Sequence, residues 1–459
     1  MYKIDYKNPV KVHFIGIGGI SMSGLAEILL DRGFKISGSD RAPSELTKIL
    51  EDKGIVVKYS QVAENITDDI ELVVYTAAIR EDNEEFIEVK RRNIPMLTRA
   101  ELLGQIMNNY KVSVAVAGTH GKTTTTSMVT DILMAAELDP TVSVGGMLKE
   151  IGGNLRLGQS DYFVTEACEY TNSFLSFYPT INIILNIEED HLDFFKDIND
   201  IRSSFRRFSQ LLPESGLLII NADIDNYEEI TEGLKCSVVT VSANGNADYM
   251  ARNISFDDMG CAMFDVVKAD GSSLGSFTLK VPGMHNVSNA LAAIALGDHL
   301  KVDAKTINEG FLRFCGTDRR FQYKGKLGEV TIIDDYAHHP TEIRATLNAA
   351  RNYPNNRVVC VFQPHTYTRT KAFFNDFVDA LSLADVTILA DIYAAREKDT
   401  LGMHSSMITE ELKNKGCESY YFDSFEKIEE YLKKNSAPGD LLITMGAGNV
   451  VNIGDHLLK

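Results

Sequence analysis

Positive charge is scarce in this chain. Lys and Arg number 46 against 64 Asp and Glu, a formal net charge of -18 over 459 residues. A field of that sign repels phosphodiester backbones, so no nucleic acid is expected as a main partner, and any anionic ligand must be held by local groups. Cysteine is scarce too. The six stand apart at positions 168, 236, 261, 315, 360 and 417, with no CxxC pair. That spacing argues against a zinc ribbon and against a disulfide scaffold; reduced thiols in a cytoplasmic protein are the expectation. Long apolar runs are missing. None approaches the roughly 18 residues that a membrane span requires, so no membrane partner is expected. The opening Met-Tyr-Lys-Ile-Asp-Tyr-Lys leads into a short strand and not into the apolar segment of a signal peptide. There are no low-complexity tracts and no short repeats.

What is present is an ordinary globular composition, 44% hydrophobic and 24% charged, which excludes a disordered or fibrous chain. At roughly 150 residues per domain the length predicts about three domains. The pattern agrees. Short apolar runs at Val12–Ile17, Phe34–Ser37, Ile55–Tyr59 and Leu72–Tyr75 alternate with helical stretches at Ile20–Arg32 and near 44–53 and 84–92. Such alternation predicts βαβ units on a parallel sheet. A second series starts at Lys111, with strands at Val112–Ala117, Tyr162–Thr165, Ile181–Ile187, Leu217–Ile220 and Val238–Val241. The stretch 243–280 reads as antiparallel strands and Met284–Leu300 as a helix. A third series has strands at Val330–Ile333, Val358–Phe362, Val386–Leu389, Tyr420–Phe422 and Leu441–Met445, and helices near 340–352, 371–382, 407–415 and 424–434. The predicted fold is α/β in three domains: residues 1–109, 110–317 and 318–459.

The first βα turn carries Gly16, Gly18, Gly19 and Ser21. Glycines there let the backbone approach a phosphate, while the helix N-terminus supplies free N–H donors. Ser21 stands where a full dinucleotide fingerprint has a third Gly, and Asp40 after the second strand could hold a ribose hydroxyl. Alone, this turn suits a nicotinamide oxidoreductase as readily as any nucleotide binder. The second site points elsewhere. Gly118, Thr119, His120, Gly121, Lys122, Thr123 and Thr124 follow a buried strand and open a helix, as a phosphate-binding loop must. Lys122 would set a cation on the β- and γ-phosphates of ATP, and the Thr123 hydroxyl would reach Mg2+. Glu166 and His191, after two further strands, sit where metal ligands belong. Their neighbours Glu188, Glu189 and Asp193 read equally as a solvated loop.

The last third holds three polar clusters, each after a strand: Asp334-Asp335-Tyr336-Ala337-His338-His339-Pro340, then Gln363 to Arg369 with His365, then Asp391 to Arg396 and Glu397. All three should converge on the carboxyl edge of one parallel sheet, where α/β ligands bind. His338, His339 and His365 could form a zinc centre, but Arg369 and Arg396 suit a carboxylate ligand better.

These motifs together resemble the Mur ligase family. The likeness runs through Gly16–Gly24, Ala117–Thr125, Ser173-Phe174-Leu175, Asn186–His191, Gly283-Met284-His285-Asn286, Arg319-Arg320-Phe321, Asp334–Pro340 and Gln363-Pro364-His365. The combination with Arg396-Glu397 and the first-domain turn is similar to the alanine-adding members. The resemblance implies a Rossmann-like first domain for a uridine nucleotide, a central P-loop ATPase domain and a Rossmann-like C-terminal domain closing over both. It implies L-alanine and UDP-N-acetylmuramate as substrates, with ATP phosphorylating the lactyl carboxylate before the amine attacks. Mg2+ would be held by Thr123, Glu166 and His191. His285 and Asn286 would lie beside the adenine, and Arg320 and Asp335 would meet the nucleotide on closure. Arg369, with His338 and His365, would orient the amino acid. One departure stands out: the family commonly has Asp where this chain has Cys168. A recycling ligase that attaches a tripeptide to the same sugar nucleotide is the nearest alternative; a folylpolyglutamate-synthetase-like ligase or a nucleotide switch fits fewer of the motifs.

Overall fold

The computed structural model describes residues 2–459 apart from Ala77, Lys149, Glu150, Gly152 and Arg396. Its strands form three separate sheets. The first contains β1 (Lys11–Ile15), β2 (Lys35–Ser39), β3 (Val56–Lys58), β4 (Leu72–Tyr75) and β5 (Met96–Thr98) in the order β3-β2-β1-β4-β5. Every pairing in it is parallel. The order reverses at β1, so a crevice opens beyond the carboxyl ends of β1 and β4, where ligands of such sheets bind.

The second sheet has ten strands: β6 (Val112–Ala117), β7 (Thr141–Leu148), β8 (Gly153–Arg156), β9 (Tyr162–Ala167), β10 (Ile181–Ile184), β11 (Leu217–Asn221), β12 (Ser237–Ser242), β13 (Tyr249–Phe256), β14 (Cys261–Lys268) and β15 (Ser273–Pro282). Their order is β15-β14-β13-β12-β11-β10-β6-β9-β7-β8. β6 lies between β10 and β9, parallel to both, with Ala117 paired to Ala167 and to Ile184. The loops after these three strands therefore leave the sheet at one level. The 243–280 region is antiparallel as expected: β13, β14 and β15 form a meander.

The third sheet comprises β16 (Gln322–Leu327), β17 (Val330–Asp335), β18 (Arg357–Phe362), β19 (Val386–Leu389), β20 (Glu418–Tyr421) and β21 (Asp440–Met445), ordered β16-β17-β21-β18-β19-β20. Only the β16–β17 pair is antiparallel. Asp335 and Phe362 both pair with Met445, and Phe362 also pairs with Leu389, so the three polar clusters emerge along one edge.

The central strands read as continuous apolar runs because both faces are covered. Five of the six residues of β6 are buried, and all of β10, β19 and β21. Where the sequence pattern erred, the cause is local. The run Ile181–Ile187 stops pairing at Ile184, since the chain there turns into the site. The helix expected near 371–382 is two, Tyr367–Ala372 and Phe374–Leu381, broken at Phe373. The β7–β8 pair, the helices Ile198–Ser209 and Ala304–Arg313, and strand β16 had no counterpart in the sequence reading. No helix among the described residues is long and apolar enough to cross a membrane.

Candidate active site

The phosphate loop leaves β6 and enters the helix Lys122–Ala135 through Gly121, whose φ of 82° is strained for residues with a side chain. A Cβ there would also lie 2.6 Å from Asn289 Oδ1. Asn186 clamps the loop from the side: its Oδ1 accepts from His120 N–H at 2.7 Å, and its Nδ2 donates to the His120 carbonyl at 3.0 Å. Lys122 Nζ folds back onto the carbonyls of Gly118 (2.5 Å) and Thr119 (3.1 Å) and onto Glu169 Oε2 (3.1 Å). Burial alone would pull this ammonium down, but Glu169 more than offsets it and the group stays charged. Thr123 and Thr124 form the first turn of the same helix.

From β9, Glu166 accepts a hydrogen bond from Gly145 N–H at 2.7 Å. After it comes Cys168, a half-buried thiol pushed up by desolvation and by Glu169. His191 adopts a positive φ of 53°. It stacks on Tyr170 and places Nε2 3.8 Å from both Glu169 Oε1 and Asp190 Oδ2. Of the residues expected to hold Mg2+, Thr123 and Glu166 offer the oxygen atoms that this ion takes, and His191 adds an imidazole next to the Lys122–Glu169 pair. The compact trio of metal-ligand side chains among the described residues is nevertheless a different one: His120, Glu188 and His339.

The C-terminal clusters close over these loops. Arg369 donates to Asp190 Oδ1 through Nε (3.2 Å) and Nη2 (2.6 Å), and its Nη1 lies 3.2 Å from His365 Nδ1. Burial would raise the Asp190 carboxyl, but the guanidinium outweighs it and holds the group well below the usual carboxylate range. His338 is half-buried, and desolvation pulls it down to about 3, so it is neutral at neutral pH. Its Nδ1 lies 3.2 Å from Glu342 Oε2. His338 and His365 rings approach to 5.8 Å, but His339 turns away to face His120, its ring 4.8 Å off and tilted by 39°, so those three histidines do not assemble into a zinc centre. Glu397 caps the helix Tyr367–Ala372 by accepting from Tyr367 and Thr368 N–H. Arg396 lies outside the described residues.

Two spaces flank this seam. One cavity, of about 230 Å3, is lined by His120, Gly121, Thr124, His285, Asn286 and Arg320, with Asp335 and Glu342 also on its wall. Burial lowers His285 to about 4 and raises Asp335 to about 6 despite Arg320 beside it. The other, of about 600 Å3, is lined by Tyr170, Asp190, His191, His365, Arg369 and Glu397 among others. The first-sheet turn is separate from both. There the Asp40 carboxylate accepts from Gly18 N–H at 2.7 Å and from Arg41 N–H, while Ser21 Oγ accepts from Arg99 Nη1 at 3.2 Å. Gly16 N–H donates to Ser39 O and anchors the turn to β2.

Sequence reasoning assigned no role to Glu169, Asp190 or Glu342. Glu169 could have been found as the second carboxylate after Glu166, and Asp190 as the neighbour of His191. Glu342 looks like any acidic residue in a helix first turn. Glu188, open to a reading as solvated loop, accepts from Thr341 Oγ1 at 2.5 Å and faces His120.

Comparison with known proteins decides the family. The Mur ligase family catalytic domain model matches residues 11–111, the Mur ligase middle domain 116–297, and the Mur ligase glutamate ligase domain 319–448. The chain belongs to the Mur ligase family. Among its relatives, the UDP-N-acetylmuramate–L-alanine ligase of Agathobacter rectalis is 62% identical over 459 residues, covering 100% of both chains. That of Lachnospira eligens is 59% identical, again covering 100% of both. A solved UDP-N-acetylmuramate–alanine ligase from Thermotoga maritima superimposes with a TM-score of 0.80 at 31% identity, over 98% of each chain. A murein peptide ligase from Psychrobacter arcticus shares the Mur ligase fold, with a TM-score of 0.70 at 24% identity over 98% of each chain.

Proposed function

We propose that this Mur ligase joins L-alanine to the lactyl carboxylate of UDP-N-acetylmuramate, consuming ATP and releasing ADP and phosphate, as a step of peptidoglycan precursor synthesis. One observation carries the reading. A continuous run of contacts, Lys122–Glu169–His191–Asp190–Arg369–His365, joins the phosphate loop to a carboxylate-binding arginine on another sheet. A nucleotide switch would need the first half of that run and not the second.

Placement supports the following roles. The loop Gly118–Thr124 holds the ATP phosphates by its N–H groups and the Lys122 ammonium. His285, Asn286, Arg320 and Asp335 line the nucleotide cavity. Thr123, Glu166 and His191 would hold Mg2+, which supplies charge neutralisation at the transferring phosphoryl group. Lys122 adds a second cation there, and the lactyl carboxylate becomes an acyl phosphate that an amine can attack. Arg369 meets the amino-acid carboxylate, and His338 and His365 orient the amino acid and the intermediate. Gly16, Gly18, Gly19, Ser21 and Asp40 receive the uridine nucleotide. The units are residues 1–109 for the sugar nucleotide, 110–317 for ATP and 318–459 for the amino acid. Closure of the last over the others excludes water from the acyl phosphate.

Phosphate release by the purified chain with ATP, Mg2+ and UDP-N-acetylmuramate, with and without L-alanine, tests this. Alanine-dependent release with a new amide product is expected. Release only with the L-alanyl-γ-D-glutamyl tripeptide would replace the reading by the recycling ligase.

A further inference from the structure

Three side chains converge at the seam between the second and third sheets, apart from the set expected for Mg2+. His120 comes from the phosphate loop, Glu188 from the loop after β10 and His339 from the loop after β17. One ligand atom of each lies within 4.8 Å of the other two. Two imidazoles and a carboxylate form a zinc-type donor set, whereas Mg2+ takes oxygens and keeps its waters.

Each donor is held from behind. His120 Nδ1 faces Glu342 Oε1 at 3.3 Å, which leaves Nε2 directed at Glu188 Oε2, 3.6 Å away. That Nε2 is buried and makes no hydrogen bond. His339 Nε2–H donates to the Glu189 carbonyl at 3.0 Å, so Nδ1 is the lone-pair nitrogen. That lone pair accepts from Thr341 N–H at 3.4 Å, a long N-cap hydrogen bond that a metal ion would replace. Glu188 is fixed by the Thr341 hydroxyl at 2.5 Å. A carboxylate or carbonyl behind each imidazole is the outer-shell arrangement that sets tautomer and orientation in metal-binding histidines.

Charge favours a cation as well. Glu188 and Glu342 stand on opposite ring nitrogens of His120. A divalent ion in place of the proton on Nε2 compensates Glu188, while Arg320, 3.4 Å away, compensates Glu342. Two ligands on bonds of about 2 Å lie at most about 4 Å apart, so side-chain movement of about 1 Å completes the set.

We propose that His120, Glu188 and His339 form a zinc-class site that fastens the C-terminal unit onto the central one in the nucleotide-free protein. Equilibrium dialysis of the full-length chain against zinc, in excess Mg2+ and without nucleotide, tests it. One zinc per chain is expected. His339→Gln and Glu188→Gln should each weaken retention by about tenfold or more, and Glu342→Gln by about 10- to 100-fold. Glu166→Gln, in the expected Mg2+ set, should leave it unchanged. Circular dichroism identifies any variant that fails to fold, in which case the other ligand variant carries the test. No retention by the wild type would overturn the proposal, as would equal retention by both ligand variants or loss in Glu166→Gln alone. The readout needs no turnover, so its failure leaves the ligase reading standing.

Discussion

Replacing Arg369 with alanine should raise the KM for L-alanine by about 10- to 150-fold and leave that for ATP nearly unchanged. The guanidinium grips Asp190 with two nitrogens, and the side chains are only 10% and 8% exposed. A substrate carboxylate that reaches this guanidinium beside Asp190 gains a charge-assisted hydrogen bond worth about 1.5–3 kcal/mol. At about 1.4 kcal/mol per decade, that gives the stated range. The variant also strands Asp190 in a dry site. Breaking a buried pair from one side costs about 3–5 kcal/mol, and because this pair links two sheets, part of the cost falls on their docking. Arg369→Lys separates the two effects. It keeps a charge opposite Asp190 but loses the fork, so thermal stability should recover while the KM for alanine stays high. Both constants come from phosphate release with the other substrates saturating. An equal rise in the two KM values for Arg369→Ala would refute the assigned role.

Other consequences are as direct. Lys122→Ala should abolish phosphate release yet retain UDP-sugar binding by calorimetry; loss of both would mean misfolding. His120 is pulled down by burial but held up at about 9 by Glu342 and Glu188. Its folded value exceeds its ordinary 6.5, so its contribution to docking is complete below about 6.5 and lost as pH rises through about 9, at most about 3 kcal/mol. Small-angle scattering should show the nucleotide-free chain expanding across that window, and a pH-independent radius for His120→Gln; expansion on acidification instead would refute the sign. Gly104→Ala puts a Cβ 1.9 Å from the Ser176 carbonyl, where the helix Arg99–Met107 meets the turn Tyr170–Ser176. Overpacking of about 1–3 kcal/mol should lower the melting temperature; an unchanged melt would show that the contact relaxes.

The parts of the molecule that announce themselves in sequence are those governed by near neighbours. Val112–Ala117 reads as a buried strand because each residue meets the same covered environment, and Gly121-Lys122-Thr123 reads as a phosphate loop because the turn, the charge and the hydroxyl are adjacent. The partners of those groups obey no such rule. Arg369 meets Asp190 across 179 positions, Thr341 meets Glu188 across 153, and His339 meets Glu189 across 150. Only the fold brings them together, so Lys122, His191 and Arg369 were legible singly while the run connecting them was not. His338, His339 and His365 illustrate the converse. Adjacent in the chain, His338 and His339 point to different partners, because a helix begins at Pro340 and its capping residue His339 must turn toward the second sheet. Strand β16 escaped notice for a different reason: its residues are half-buried or exposed at a sheet edge, without the apolar run that marks the inner strands.

Those separations also order events during synthesis. Domains fold as units from the N-terminus as the chain emerges. The sugar-nucleotide turn and the phosphate loop with Glu169 and His191 are complete well before Arg369 is made. On the proposed roles, a nascent chain would then carry the sugar-nucleotide turn and the phosphate loop without the amino-acid site. On the same roles, the amine that consumes the acyl phosphate, and the walls that keep water from it, would wait for the last third.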